Sequence, residues 1–307
     1  MAEARPPLLL LSHPDCAGHD MGPFAPERPA RITAILSALD EPAFAGLRRE
    51  EAPRATVEML TRAHPPDYVS AILAIRPPPG QRVQLDPDTA MSAGSAEAAL
   101  RAAGAAARAA EAVLKGEARA AFAATRPPGH HAEPARAMGF CLFANAVVAA
   151  RHAQALGLAR RVAILDFDVH HGNGTQACVE RDASILFAST HQMPLYPGTG
   201  HAREVGVGNV INRPLPPGTD GAGFRAAWRE ILPRVADFAP DLVVVSAGFD
   251  AHRRDPLAQL ELEAEDFGWI TREIVALGRP VASLLEGGYD LAALAESVAE
   301  HLRALMG

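Results

Sequence analysis

Two adjacent histidines in a Pro-Gly turn, a cluster of acids and histidines after one apolar run, and a lone acid after another are the residues of this chain best suited to chemistry. The run Val162-Ala163-Ile164-Leu165 reads as a buried strand and breaks into Asp166-Phe167-Asp168-Val169-His170-His171-Gly172-Asn173-Gly174. Acids and imidazoles there are costly to bury unless something pairs with them. On an extended backbone Asp166, Asp168 and His170 point to one side, so Asp168 and His170 can reach one metal ion while Asp166 lies behind. A second apolar run, Leu242-Val243-Val244-Val245-Ser246-Ala247, ends in Gly248-Phe249-Asp250, and Asp250 can approach the same ion from a neighbouring strand. Two carboxylates and one imidazole leave a coordination position open, which suits a catalytic metal better than a structural one. The alternative is that Asp168 and Asp250 cap the helices that follow.

Arg126-Pro127-Pro128-Gly129-His130-His131-Ala132 places its histidines after a third apolar run in a rigid turn. Each histidine needs a partner to set its tautomer, and Asp166 and Asn173 are the available groups. A fourth run ends in Glu286-Gly287-Gly288-Tyr289-Asp290. The glycines let the backbone approach closely, and the phenol can donate to a substrate oxygen; taken alone, Gly-Gly-Tyr is equally an ordinary loop.

Such residues need a frame that brings distant segments to one edge. Short apolar runs alternate with amphipathic stretches, the pattern of strand and helix units building a parallel sheet. Strands are expected over 8–12, 120–124, 162–167, 185–189, 242–247 and 281–285, and helices over 28–39, 96–114, 140–156, 223–236, 265–277 and 291–305. Ligands bind beyond the carboxyl ends of parallel strands, where the following loops open a crevice, and each polar cluster above sits at such an end. The Ala-rich stretch 93–113 reads as a close-packed surface helix carrying Glu97, Arg101, Arg108 and Glu111. Segments 77–79 and 126–138 read as surface loops, and Asp86 and Asp88 as part of a solvated loop rather than as substrate contacts. With no composition break, linker or internal repeat, residues 1–307 are taken as a single domain.

Composition narrows the function. The 307 residues, 49% hydrophobic and 21% charged, can bury a large core. A net charge of −7 provides no basic field for nucleic acid or anionic membrane. Three cysteines, Cys16, Cys141 and Cys178, lack a C-x-x-C spacing and form neither a disulfide framework nor a thiolate zinc site, which fits a reducing, cytoplasmic setting. No apolar stretch approaches the roughly 20 residues that span a bilayer, and the leucine run 8–11 is too short for a signal-peptide core. Oligomeric state leaves no mark on the sequence.

The four pieces, in this order, resemble the zinc-dependent histone deacetylase and acetylpolyamine amidohydrolase superfamily, which shares its fold with arginase. The resemblance runs over 126–132, 139–145, 166–174, 196–200, 247–257 and 286–290. It implies a single three-layer α/β/α domain, a mainly parallel sheet of about eight strands, and a narrow tunnel leading to zinc. It further implies Asp168, His170 and Asp250 as zinc ligands, His130 and His131 as the catalytic pair, Tyr289 as the group that polarises the substrate carbonyl, and Asp166 as the acid behind His130. Behind His131 stands Asn173; an aspartate there would mark class I, so the chain resembles the class II branch. Gly139, Phe140 and Tyr196 match the tunnel that grips an acyl-lysine side chain, and Arg28 an arginine of the inner cavity. Leu257, seven residues past Asp250, stands where polyamine-selective members carry an acid, which argues against a polyamine gate of that type. Gly172 stands where arginase has a further carboxylate, so a second catalytic metal is not expected.

The implied activity is removal of an acetyl or other acyl group from lysine side chains of proteins or peptides. Zn(II) is the implied cofactor, with Fe(II) an alternative for an oxygen-rich ligand set and a structural potassium ion also allowed by the resemblance. The competing readings are a deacylase of small acylated amines such as acetylpolyamines, and a catalytically inactive acyl-lysine binding module.

Overall fold

Strands with no polar side belong in the middle of a sheet, because a strand covered by helices on both faces meets water on neither. The computed structural model describes residues 6–307. The chain runs through β1 (Leu9–Ser12), α1 (Ala30–Ala38), β2 (Arg48–Glu51), α2 (Val57–Thr61), α3 (Pro66–Ala74), β3 (Val83–Asp86), β4 (Thr89–Met91), α4 (Ser95–Leu114), β5 (Ala120–Ala123), α5 (Asn145–Ala155) and β6 (Val162–Asp166). It continues through α6 (Asn173–Val179), β7 (Ile185–Gln192), β8 (Val210–Leu215), α7 (Gly221–Phe238), β9 (Leu242–Ala247), α8 (Ala264–Ala276), β10 (Val281–Leu285) and α9 (Leu291–Met306).

Eight strands form one sheet in the order β2-β1-β5-β10-β9-β6-β7-β8, and every pairing in it is parallel. The six strands expected from apolar runs are its interior. The two edge strands carried no such signal. β2 is Arg-Arg-Glu-Glu, and β8 contains Arg213 and Pro214, residues that an edge tolerates because one side of its ladder is unpaired. β3 and β4 form a separate antiparallel hairpin.

Side chains alternate across the sheet and pack two cores. Leu8 and Leu10 lie on one face with Ile32 and Ile35 of α1, Trp228 of α7, Phe267 of α8 and Leu302 of α9. Leu9 and Leu11 lie on the other with the alanines of α4 and α5. The Ala-rich helix α4 is close-packed and lies deeper than expected of a surface helix: apart from Leu114 at its end, the stripe bearing Glu97, Arg101, Arg108 and Glu111 is the part that reaches water, and the small side chains let it press against α5 and the sheet. Helix α5 begins at Asn145 rather than at 140, because Phe140 takes φ +68°, outside helical space. Of the loop expected on the surface over 126–138, residues 126–132 are buried. Among the described residues, no helix is long and apolar enough to cross a membrane.

The start of that loop is tied to the segment before α1 by a fully buried ion pair. Arg126 Nη2 donates to Glu27 Oε2 at 2.5 Å, Arg126 Nη1 donates to the Cys16 carbonyl at 2.9 Å, and Arg31 Nη1 donates to Glu27 Oε1 at 3.0 Å. Removing one partner of a buried pair leaves an uncompensated charge. Glu27→Ala is therefore expected to cost about 3–5 kcal/mol of folding stability by urea denaturation; a loss below about 1 kcal/mol would place the pair among contacts that contribute little. Burial alone would raise the Glu27 pKa, but the charges and bonds of its partners, Arg126 foremost, bring it down to about 2. The folded value lies below the unfolded one, so this contribution is complete above the ordinary glutamate range and is lost as pH falls toward 2.

Candidate active site

Because all eight strands are parallel, their carboxyl ends share one edge, and β5, β10, β9, β6 and β7 stand there as neighbours despite their separation in sequence. After β6 the chain folds on itself through short side-chain-to-backbone bonds. Asp166 Oδ1 accepts from the Asp168 amide at 3.1 Å and Asp168 Oδ1 from the His170 amide at 2.8 Å. The loop after β9 is laced to it, since Asp250 Oδ1 accepts from the Val169 amide at 2.9 Å. Asp168 Oδ2 accepts from the Gly287 amide at 2.8 Å, after β10. A Cβ at Gly287 would collide with the Asp250 carboxylate, so only glycine admits this approach.

Asp168 and Asp250 are thus each fixed by backbone N–H groups and turn an oxygen toward His170. Its Nδ1 lies 3.1 Å from Asp168 Oδ1 and 3.2 Å from Asp250 Oδ2. Both carboxylates are fully buried, and facing one another they require positive charge between them. Burial opposes a charged His170, yet its bonds to the two acids hold its pKa up to about 10, while burial and then the charge of Asp168 raise Asp250. Among the described residues, Asp168, His170 and Asp250 are the group of three whose ligand atoms all lie within 4.8 Å of one another. A donor set of oxygen and imidazole, buried and short of positive charge, fits a divalent cation such as Zn(II).

The histidine pair is held over this point by Glu286, at the end of β10. Its Oε2 accepts from the amides of Gly129 at 2.6 Å and His130 at 3.1 Å, and its Oε1 from Ser246 Oγ at 3.0 Å. His130 Nδ1 lies 3.0 Å from Asp166 Oδ2 and His131 Nδ1 lies 2.8 Å from Asn173 Oδ1, with the ring centroids 4.0 Å apart. Their proton affinities diverge. Burial disfavours a charged His130, but the carboxylates of Asp168 and Asp166 outweigh it and raise its pKa well above 6.5. At His131 burial, and then the charges of His130 and His170, outweigh the pull of Asp168 and the bond to Asn173, and its pKa lies well below 6.5.

A cavity of about 240 Å³ opens onto His131 and His170 between Gly139, Phe140, Leu195, Tyr196, Leu257, Tyr289 and Asp88. Gly139 and Phe140 both take positive φ, 55° and 68°, strain that a non-glycine residue keeps only when its surroundings enforce it. The β3–β4 hairpin does so. Asp88 Oδ1 accepts from the Gly139 amide and Thr89 Oγ1 from the Phe140 amide, both at 2.9 Å. Asp88 therefore belongs to the cavity wall and not to a solvated loop, while Asp86, its side chain 11% exposed, pairs with Arg136 at 2.7 Å. Tyr196 stands at the mouth, 37% exposed, and Tyr289 at the base, 8% exposed. A larger, shallow groove of about 480 Å³, flanked by Glu265, Glu296 and Glu300, shares none of these residues.

Tyr289 is positioned from three sides. Its amide donates to Asp255 Oδ2 at 2.8 Å, its ring packs edge-on to Phe140 at 5.9 Å, and the Arg31 guanidinium lies 5.0 Å from its centroid. Burial, then the charge of Asp250, raises its pKa well above 10, so the phenol stays protonated. Arg31 also donates to the carbonyls of Gly288 at 2.6 Å and Glu286 at 2.5 Å. The arginine of this inner region is accordingly Arg31; Arg28 is exposed. Glu286, Asp255 and Arg31 carried no sequence signal of their own beyond lying next to the Gly-Gly-Tyr, Asp250 and Pro-Glu segments.

A family model described as a histone deacetylase domain matches residues 25–305. A relative from Arabidopsis thaliana, histone deacetylase 14, chloroplastic, is 37% identical over 100% of this chain and 78% of its own. The histone deacetylase-like amidohydrolase of Pseudomonas aeruginosa is 41% identical over 90% of this chain and 71% of its own. The solved structure of the HDA15 HD domain superposes with a TM-score of 0.94 at 35% identity, covering 99% of this chain and 89% of that one.

Proposed function

The chain belongs to the histone deacetylase domain family and is an amide hydrolase of the deacetylase type, and from that premise we propose that it removes acyl groups from lysine side chains of peptides or proteins, with residues 1–307 acting as one catalytic domain. The observation that carries the substrate is the cavity. Its aromatic and aliphatic walls, Phe140, Tyr196 and Leu257, suit the methylene stem of an acyl-lysine, and its base presents polar groups to an amide. The Leu257 wall carries no acid to hold a distant ammonium, and the carboxylate that does line the cavity, Asp88, is engaged by the Gly139 amide and the Thr89 hydroxyl; both favour acyl-lysine over an acetylpolyamine.

In this reading Asp168, His170 and Asp250 hold Zn(II). Bound there, Zn(II) would supply Lewis acidity to the amide carbonyl and would bring the pKa of a water toward about 7. Tyr289, a protonated phenol at the cavity base, donates to the carbonyl oxygen as it gains negative charge. His131, neutral and facing the cavity, takes the proton of the attacking water and passes it to the departing amine. His130, kept charged by Asp168 and Asp166, adds positive field beside the developing oxyanion. Leu195 and the aromatic walls exclude bulk water, so these charges act at low dielectric. The free thiols of Cys16, Cys141 and Cys178 support a reducing compartment such as the cytoplasm.

Acetyl-lysine peptides, longer acyl-lysine peptides and acetylpolyamines, each assayed with and without chelator, test the proposal. The highest kcat/KM is expected on an acyl-lysine peptide, and a preference for acetylpolyamines would overturn the substrate. Asn173→Asp tests the proton roles. A carboxylate beside His131 stabilises its charged form and raises its pKa, so the neutral base persists only at higher pH. The acid limb of the kcat profile is then expected to move up by about 1 unit or more; an unmoved limb would deny His131 the role of base.

A further inference from the structure

The partner of His131 has a partner of its own. Asn173 Nδ2 donates to Glu133 Oε1 at 2.9 Å and lies 3.4 Å from Met138 Sδ, while Asn173 Oδ1 sits 2.8 Å from His131 Nδ1. Glu133 is half-buried, at the point where the histidine loop turns outward. An amide presents a donor at one end and an acceptor at the other, and which end faces a neighbour is decided by what the neighbours can do. A carboxylate and a thioether only accept. Both therefore require the NH2 end of Asn173, which leaves its oxygen for His131. That oxygen also only accepts, so His131 must carry its proton on Nδ1 and turn a bare Nε2 toward the cavity.

We propose that Glu133 is a positioning residue: acting through Asn173, it selects the His131 tautomer whose free nitrogen can receive a proton. An aspartate at this position would need no such help, being an acceptor at both oxygens. An asparagine can face either way and requires an anchor. This rests on the reading of His131 as the proton acceptor, but the tautomer itself is a property of the protein that can be observed without turnover.

Glu133→Gln replaces the anchor with a group that can donate as well as accept. Asn173 is then free to flip, turning its NH2 toward His131 Nδ1 and moving the proton to Nε2. With the charge-assisted bond gone, kcat on an acetyl-lysine peptide is expected to fall about two- to tenfold with KM unchanged. In the Asn173→Asp background the same substitution is expected to leave kcat unchanged or raise it, since the new carboxylate accepts from His131 unaided and sheds a like-charged neighbour. Equal fold-losses in both backgrounds would overturn the proposal, because that is what a merely structural Glu133 would give. Independently, long-range 1H–15N correlation spectra of the Zn(II)-loaded, 15N-histidine-labelled protein, assigned against His131→Asn, should show His131 protonated on Nδ1, with Nε2–H signal growing in Glu133→Gln. A wild-type His131 protonated on Nε2 would refute it even if every acyl-lysine substrate were turned over, whereas a failure of the deacylase reading would leave this spectrum as expected.

Discussion

Tyr289→Phe is expected to lower kcat on an acyl-lysine peptide by about a hundredfold to a thousandfold, the range seen when one donor to a developing oxyanion is removed. KM should change little, because the hydroxyl is asked to bind the charged oxygen of the transition state more strongly than the neutral carbonyl of the substrate. The fold should be untouched. Tyr289 is held by its backbone bond to Asp255, the edge of Phe140 and the Arg31 guanidinium, all of which a phenylalanine retains. The thermal midpoint of the variant therefore serves as the control. Rates like those of the parent enzyme would remove Tyr289 from the chemistry and leave it as a wall of the cavity.

Asp250→Asn should abolish turnover, and chelation of the parent protein should do the same, with Zn(II) restoring only the latter. Stability gives a readout that does not depend on activity. A ligand that binds only the folded state at a hundred times its Kd adds about 2.7 kcal/mol, so Zn(II) should raise the melting temperature of the parent protein and have little effect on the variant. Without metal the order should reverse. Asp168 and Asp250 are fully buried and face each other across His170, and the charge of Asp168 adds to burial in raising the Asp250 pKa. Neutralising one of them relieves that repulsion, so metal-free Asp250→Asn should melt above the metal-free parent. A Zn(II)-induced shift of the same size in both proteins would remove Asp250 from the ligand set.

Much of the frame was legible because it obeys periodicity. The interior strands announce themselves as uninterrupted apolar runs, and α7, α8 and α9 by stripes of apolar residues that match the core they cover. Failures of that reading have separate physical causes. β2 and β8 lie at sheet edges, where one side of the hydrogen-bonding ladder is free and charge or proline is tolerated. Helix α5 starts late because Phe140 is strained into the cavity wall, a demand of the site and not of local propensity. The depth at which α4 lies is hidden because alanine is neither a strong core nor a strong surface signal; it depends on how closely a neighbouring layer approaches.

Residue types and their spacing along the chain determined a parallel α/β frame and the loops in which Asp168, His170, Asp250, His130, His131 and Tyr289 are found, because strand periodicity and the polar breaks after apolar runs are local properties. Tertiary structure alone decided which buried groups serve them. Glu286 beneath the histidine turn, Asp255 behind the tyrosine, Arg31 in place of Arg28, Asp88 in the wall and Glu133 behind Asn173 act across distances in sequence, or through orientations, that no local pattern records. The reason is physical. A buried polar group must be paired, and its partner is whichever residue the packing brings within about 3 Å, a choice made when the sheet and its loops close and not before.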